Sequence, residues 1–353
     1  MGKLPRATVE QAEVAIPGAP LDETLAFFTE RLGFRVDAVF PADDPRQIVV
    51  SGFGVRLRLD RELEAAPTSL RLHCRERIAG ETVVAPNGTT IELVPLSPPL
   101  DLPEYEAHFE FTRADGEDAR WVEGRAGMQY RDLIPSRCGG RFIASHIRVP
   151  EGGPVPDYVH YHRVAFQMIY CYRGWVRVVY EDQGPEFVLE AGDCVLQPPE
   201  IRHRVLESSD GLEVVEVGCP ALHETLVDHE LTLPTEVVRF DRSFGGQRFT
   251  RHRASRARWA PWRLPGFEAR DLGIGRASGR VTAEVVRPLA SARPAGLSFD
   301  ADFNFAFVLE GAMSWGTDSK QTLRRGDAAT FARGQTLAGL ECTPELELLV
   351  LRE

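Results

Sequence analysis

Short apolar runs broken by turn residues dominate the chain, and most have the alternation of half-buried strands rather than the spacing of helices. The first hundred residues hold the one clear helical pattern. Leu21, Leu25, Phe28 and Leu32 recur on one face, Asp22 is suited to capping the helix and Gly33 to stopping it. Around that helix the segments AEVAIP, RQIVVSG and VRLRLD read as strands. A second set follows in SLRLHCR, ETVVAP and TTIELVP, with Asn87-Gly88 as a hairpin signal. Residues 101–125 are proline-rich and charged with weak periodicity, and they read as a linker.

Beyond that stretch the pattern repeats. Gly127–Leu133 (GMQYRDL) returns as Gly266–Leu272 (GFEARDL), an offset of 266 − 127 = 139 residues. At the same offset Gly140–Val149 (GRFIASHIRV) is matched by Gly279–Pro288 (GRVTAEVVRP). A duplication built of short strands and turns predicts two linked β-sandwich or barrel units. The expected organisation is therefore mainly β: a small α+β domain over 1–100, a linker over 101–125, a first unit over 126–232, a linker over 233–264 and a second unit over 265–353.

Composition narrows the partners. The net charge of −11 opposes binding to nucleic acid or to an anionic membrane, leaving a small molecule as the expected partner. Six cysteines without paired spacing predict free thiols rather than a disulfide framework or a zinc knuckle. The N-terminus lacks a signal-peptide core, and no apolar run of about 18 residues occurs. A cytoplasmic protein is expected. Without GxSxG, a P-loop or GxGxxG after a strand, hydrolase and nucleotide readings have no support.

The chemistry gathers in one stretch. His160 and His162 alternate on a strand and so share a face, whereas Gln167 has the opposite parity. A turn or bulge between Arg163 and Phe166 must bring Gln167 back to the same cavity, together with Ile169 and Cys171. On a later strand His203 shares a face with Ile201 and Val205. Three imidazoles and an amide converging from three strands would hold one divalent ion and leave coordination positions open.

This arrangement resembles the cupins. Gly153, His160, His162, Gln167 and Gly174 follow the family's first motif, and Gly192, Pro198 and His203 follow its second. Two residues depart from it: Gln167 stands where the family has glutamate, and Glu200 where it has glycine. The resemblance implies a metal site at His160, His162, Gln167 and His203, and often a dimer. Residues 9 to 96 resemble a vicinal-oxygen-chelate (glyoxalase-like) domain through AEVAIPGAPLDETLAFFTERLGF and APNGTTIELVP. There Glu13 takes the place of a histidine ligand and Glu92 matches the closing carboxylate, but the second module lacks its helix. A structural or dimerising role is the expectation for that domain.

The duplicate has lost its ligands. Alignment through Gly174/Gly311 and Gly192/Gly326 sets Leu297, Phe299, Asn304 and Leu337 against His160, His162, Gln167 and His203. Three neutral imidazoles and an amide leave the ion its full charge, which favours an anionic, chelating substrate. The expected activity is a metal-dependent oxygenase, with Fe(II) as the ion and Mn, Ni, Cu or Zn as alternatives. A redox-neutral isomerase, decarboxylase or lyase and a non-catalytic binding protein are the other readings. Candidate catalytic groups are Glu200 and Tyr158. Candidate substrate contacts are Cys171, His146 and Arg148, while His73, His108, His223, His229 and His252 are expected on the surface or in linkers.

Overall fold

The computed structural model describes residues 9–75, 80–116, 119–289 and 296–353; part of the N-terminal leader reading lies outside them. The chain divides into two compact units, Met1–Pro99 and Leu100–Glu353.

In the N-terminal unit the strand Val14–Pro17 lies parallel to Val55–Asp60, and Gln47–Gly52 and Arg35–Phe40 complete a four-stranded sheet. The strands Ser69–Cys74 and Thr90–Pro95 form a second parallel pair, with Thr82–Val84 antiparallel to the latter across the Asn87-Gly88 turn. The helix differs from the expectation. It begins at Leu21, after Pro20, with no side-chain cap, so Asp22 sits inside its first turn. A π-turn then occupies Phe27–Arg31, and the extra residue in that turn lets both Phe27 and Phe28 reach the core.

The larger unit holds two sandwiches of matching topology. In the first, a seven-stranded sheet runs Thr250–His252, Cys194–Leu196, Phe166–Arg173, Leu212–Cys219, Ile143–Val149, Gln129–Asp132 and Val122–Glu123. In the second, the equivalent order is Glu110–Thr112, Ala328–Phe331, Asn304–Glu310, Glu347–Arg352, Thr282–Pro288, Phe267–Asp271 and Ala260–Pro261. The inner strands of each sheet are buried on both faces. In Phe166–Arg173, Phe166, Met168 and Tyr170 face the second sandwich while Ile169 and Cys171 face the first barrel's interior. The two large sheets thus share one apolar core, in which Phe142 and Phe303 stack at 3.8 Å.

The two stretches expected as linkers do more than connect. Glu110–Thr112 precedes the first barrel but pairs with Ala328–Phe331 of the second. Thr250–His252 precedes the second barrel but pairs with Cys194–Leu196 of the first. Each arm is pinned alike: Asp327 accepts the backbone N–H of Ala114 at 2.7 Å, and Asp193 accepts that of Ala254 at 2.8 Å. The arms are reciprocally exchanged.

Candidate metal centre

The face opposite the shared core carries His160–His162 between His203–Ser208 and Thr225–Val227. His160 and His203 are direct cross-strand partners, so their rings meet with centroids 4.2 Å apart. Gln167 comes from the other sheet. The chain crosses the sandwich between Arg163 and Phe166, which resolves the parity conflict seen in the sequence.

One ring nitrogen of each of His160, His162 and His203 lies within 4.8 Å of one on each of the others, the one such His/Cys/Asp/Glu group among the described residues. Two nitrogens bound to one ion at ~2.1 Å are at most ~4.2 Å apart, so the cluster is close to a coordinating size. Each Nδ1 already has an outer partner: the Tyr158 carbonyl at 2.8 Å for His160, Thr225 Oγ1 at 2.9 Å for His162 and the Ile201 carbonyl at 3.0 Å for His203. Such contacts fix ring orientation and leave Nε2 for an ion. Burial holds all three rings neutral. It lowers His160 with help from the Arg125 charge, takes His162 down to about 2 alongside its neighbouring histidines, and puts His203 well below its ordinary value. Neutral imidazoles are the form that binds metal, and these residues fit a divalent ion.

Gln167 is buried beside this cluster, but another amide stands between. Gln197 Nε2 lies 3.1 Å from Gln167 Oε1 and 3.3 Å from His203 Nε2, while its Oε1 accepts from the Tyr180 hydroxyl at 2.8 Å. The Gln167 amide nitrogen faces Glu216 closely enough to favour its charged form, without a well-formed hydrogen bond.

The histidines line a cavity of about 380 Å³. Its walls are mostly apolar, including Met128, Ile147, Ile169, Val178 and Val214. Polar groups concentrate near the imidazoles: Arg125, Gln197, Glu216, His223 and Thr225. Glu216 is the internal carboxylate, and burial raises its pKa. The sequence reading missed it. Its strand carries no motif, and only the pairing of Ile169 with Glu216 puts the two on one face. His223, expected on the surface or in a linker, lines the cavity with its ring 5.6 Å from that of His162.

The other candidates fall outside. Glu200 is exposed on a loop and faces Arg163 at 3.8 Å; Tyr158 is 63% exposed, and only its carbonyl reaches the site. Cys171 faces inward but is packed into the core below the cavity, where burial pushes its thiol up to about 12. His146 lies on the opposite face of its strand, between Glu213 at 2.7 Å and Arg131 at 3.0 Å. Arg148 shares that face, stacked over Trp121 at 4.0 Å. A strand buried on both sides gives no apolar–polar alternation to show which face holds the cavity.

The second barrel is filled. Leu297 and Leu337 are cross-strand partners, as His160 and His203 are in the first. Phe299 stacks on Phe331 at 4.2 Å, and Met313 and Trp315 pack into the same core. Asn304 donates to the Ala301 and Phe331 carbonyls.

Comparison with known proteins agrees with this picture. Residues 145–218 match the family model described as a cupin domain, and the fold is mainly β and cupin-like. Among solved structures the chain is similar to protein Ylba from E. coli, at 11% identity and a TM-score of 0.50, over 71% of this chain and 92% of that one. It is also similar to oxalate decarboxylase from Bacillus subtilis at pH 4.6, at 15% identity and a TM-score of 0.48, over 73% and 79% of the two chains. A third is Streptomyces albus HEPD with 2-hydroxyethylphosphonate and Fe(II) bound, at 13% identity and 0.47, over 69% and 75%. No curated protein matches the sequence. No helix among the described residues is long and apolar enough to cross a membrane.

Proposed function

We propose that the first barrel is a metal-dependent oxygenase acting on an anionic, chelating substrate. The observation that carries this reading is the cluster of three neutral, outwardly braced histidines lining a mostly apolar cavity. His160, His162 and His203 would hold the ion, with the amides of Gln167 and Gln197 next to them as further donors. Fe(II) is the ion we favour, with Mn, Ni, Cu and Zn as alternatives; bound there, it would supply Lewis-acid and redox chemistry at its open positions. No carboxylate belongs to the cluster, so the ion's charge is left to attract the substrate.

The chain's own groups then do the rest. The apolar wall excludes water, Gln197 and Tyr180 orient His203, and Glu216 can hold or release a proton inside the cavity. That carboxylate supports a second reading, a redox-neutral isomerase, decarboxylase or lyase, because such chemistry needs a base within the site. In the N-terminal unit the strand order supports the glyoxalase-like reading. Glu13 is paired with Arg56 and Arg58, and Glu92 with Arg71, which fits a structural or dimerising role.

Metal analysis of the purified protein followed by oxygen uptake on β-dicarbonyl, catechol and hydroxy-acid substrates is the test. Bound iron with substrate-dependent oxygen consumption is the expected result. Turnover without oxygen consumption would move the assignment to the redox-neutral reading, and protein that never retains a metal would leave only a binding role.

A further inference from the structure

Arg125 reaches into the metal centre from the arm that precedes the first barrel. Its Nη2 lies 2.7 Å from His160 Nε2, while Nη1 donates to Asp157 Oδ1 at 2.6 Å. Because His160 Nδ1 is given to the Tyr158 carbonyl, Nε2 carries the ring's one free lone pair, and the guanidinium is using it. A cation bound to His160 needs the same lone pair and would face a like charge at hydrogen-bond distance. The two cannot share the nitrogen. The arginine therefore has to move aside whenever a cation is bound.

Its surroundings allow that. Gly124 and Gly127 bracket it, Gly127 with φ near +74°, and the Arg125 side chain is 40% exposed. Asp157, in contrast, is buried and fixed by the backbone N–H of Val205 at 3.0 Å, so it acts as a pivot for the guanidinium. Arg125 also lines the cavity, whose remaining wall is mostly apolar. A guanidinium at the polar end of an apolar chamber suits a molecule with an anionic head and an apolar body.

Resting on the metal-dependent reading above, we propose that Arg125 is a metal-displaced anchor. It caps His160 when no cation is bound, and once a cation takes that nitrogen it pairs with the anionic head of an amphiphilic substrate. Metal and anion binding are then coupled, each strengthening the other by the same factor.

The test is zinc titration of the full-length protein against a chromophoric chelator, with and without octanoate as the probe, for wild type, Arg125→Met and Arg125→Gln. Removing the competing guanidinium is expected to tighten zinc binding about tenfold. Octanoate is expected to tighten zinc several-fold in the wild type and to have little effect in either variant. Unchanged or weaker zinc affinity in both variants at full stoichiometry would overturn the anchor alone, as would an octanoate effect equal to that of the wild type. If zinc binds to none of the three proteins, the metal-dependent function itself falls along with the anchor.

Discussion

The two barrels keep the same strand order and the same cross-strand pair at the decisive point, yet one pair is His160–His203 and the other Leu297–Leu337. Topology therefore does not require the site. The first barrel gives up interior packing to keep a chamber lined with polar groups at one end, and the second fills the corresponding space with leucine and aromatic rings. A binding site here is a deliberate deficit of packing, maintained against the tendency of a β-barrel to fill itself.

Acid should separate the two barrels most strongly. His146, His160 and His203 are buried in the first barrel with pKa values lowered below the ordinary 6.5. The unfolded chain takes up protons there that the folded chain refuses, so stability present above pH 6.5 is lost as the pH falls below it. Each such group costs at most ~1.4 kcal/mol per pH unit over the range in which it stays neutral. Hydrogen exchange of the metal-free protein should show the first barrel opening before the second; the reverse order would contradict the comparison.

Next in size is the filled interior. Phe331→Ala removes the partner of Phe299 and should cost ~3–5 kcal/mol, seen as a lower midpoint in chemical denaturation. A cost below ~1 kcal/mol would mean that the second barrel is not packed as described. The smallest effect sharpens the contrast directly. His203→Leu copies the second barrel's residue into the first, and should weaken metal binding by more than the ~100-fold typical of losing an outer-shell partner, while leaving the melting temperature within a few degrees. Retention of metal at wild-type affinity would remove His203 from the ligand set.

Much of this was legible in the sequence because it depends on local spacing. The histidine positions, the 139-residue repeat and the replaced residues of the duplicate all follow from short patterns that a strand imposes. What was hidden depends on pairing between distant strands. Glu216 enters the cavity through its register with Ile169 and Ser145, and His223 through the loop after Cys219. Arg125 comes from a segment whose weak periodicity reads as a linker. His146 and Arg148 were misplaced for a related reason, since an all-buried strand does not reveal which face holds the cavity. The arms escaped notice as strands of three residues completed by partners far away, Ala329 lying opposite Phe111.

Those arms bear on why the duplicate persists at all. Thr250–His252 lies in the arm that leads into the second repeat yet forms the edge strand of the first barrel. A deletion that discarded the second repeat together with its arm would strip the first barrel of that strand and expose the shared core. The arm that leads into the copy without histidines thus also completes the barrel that keeps them.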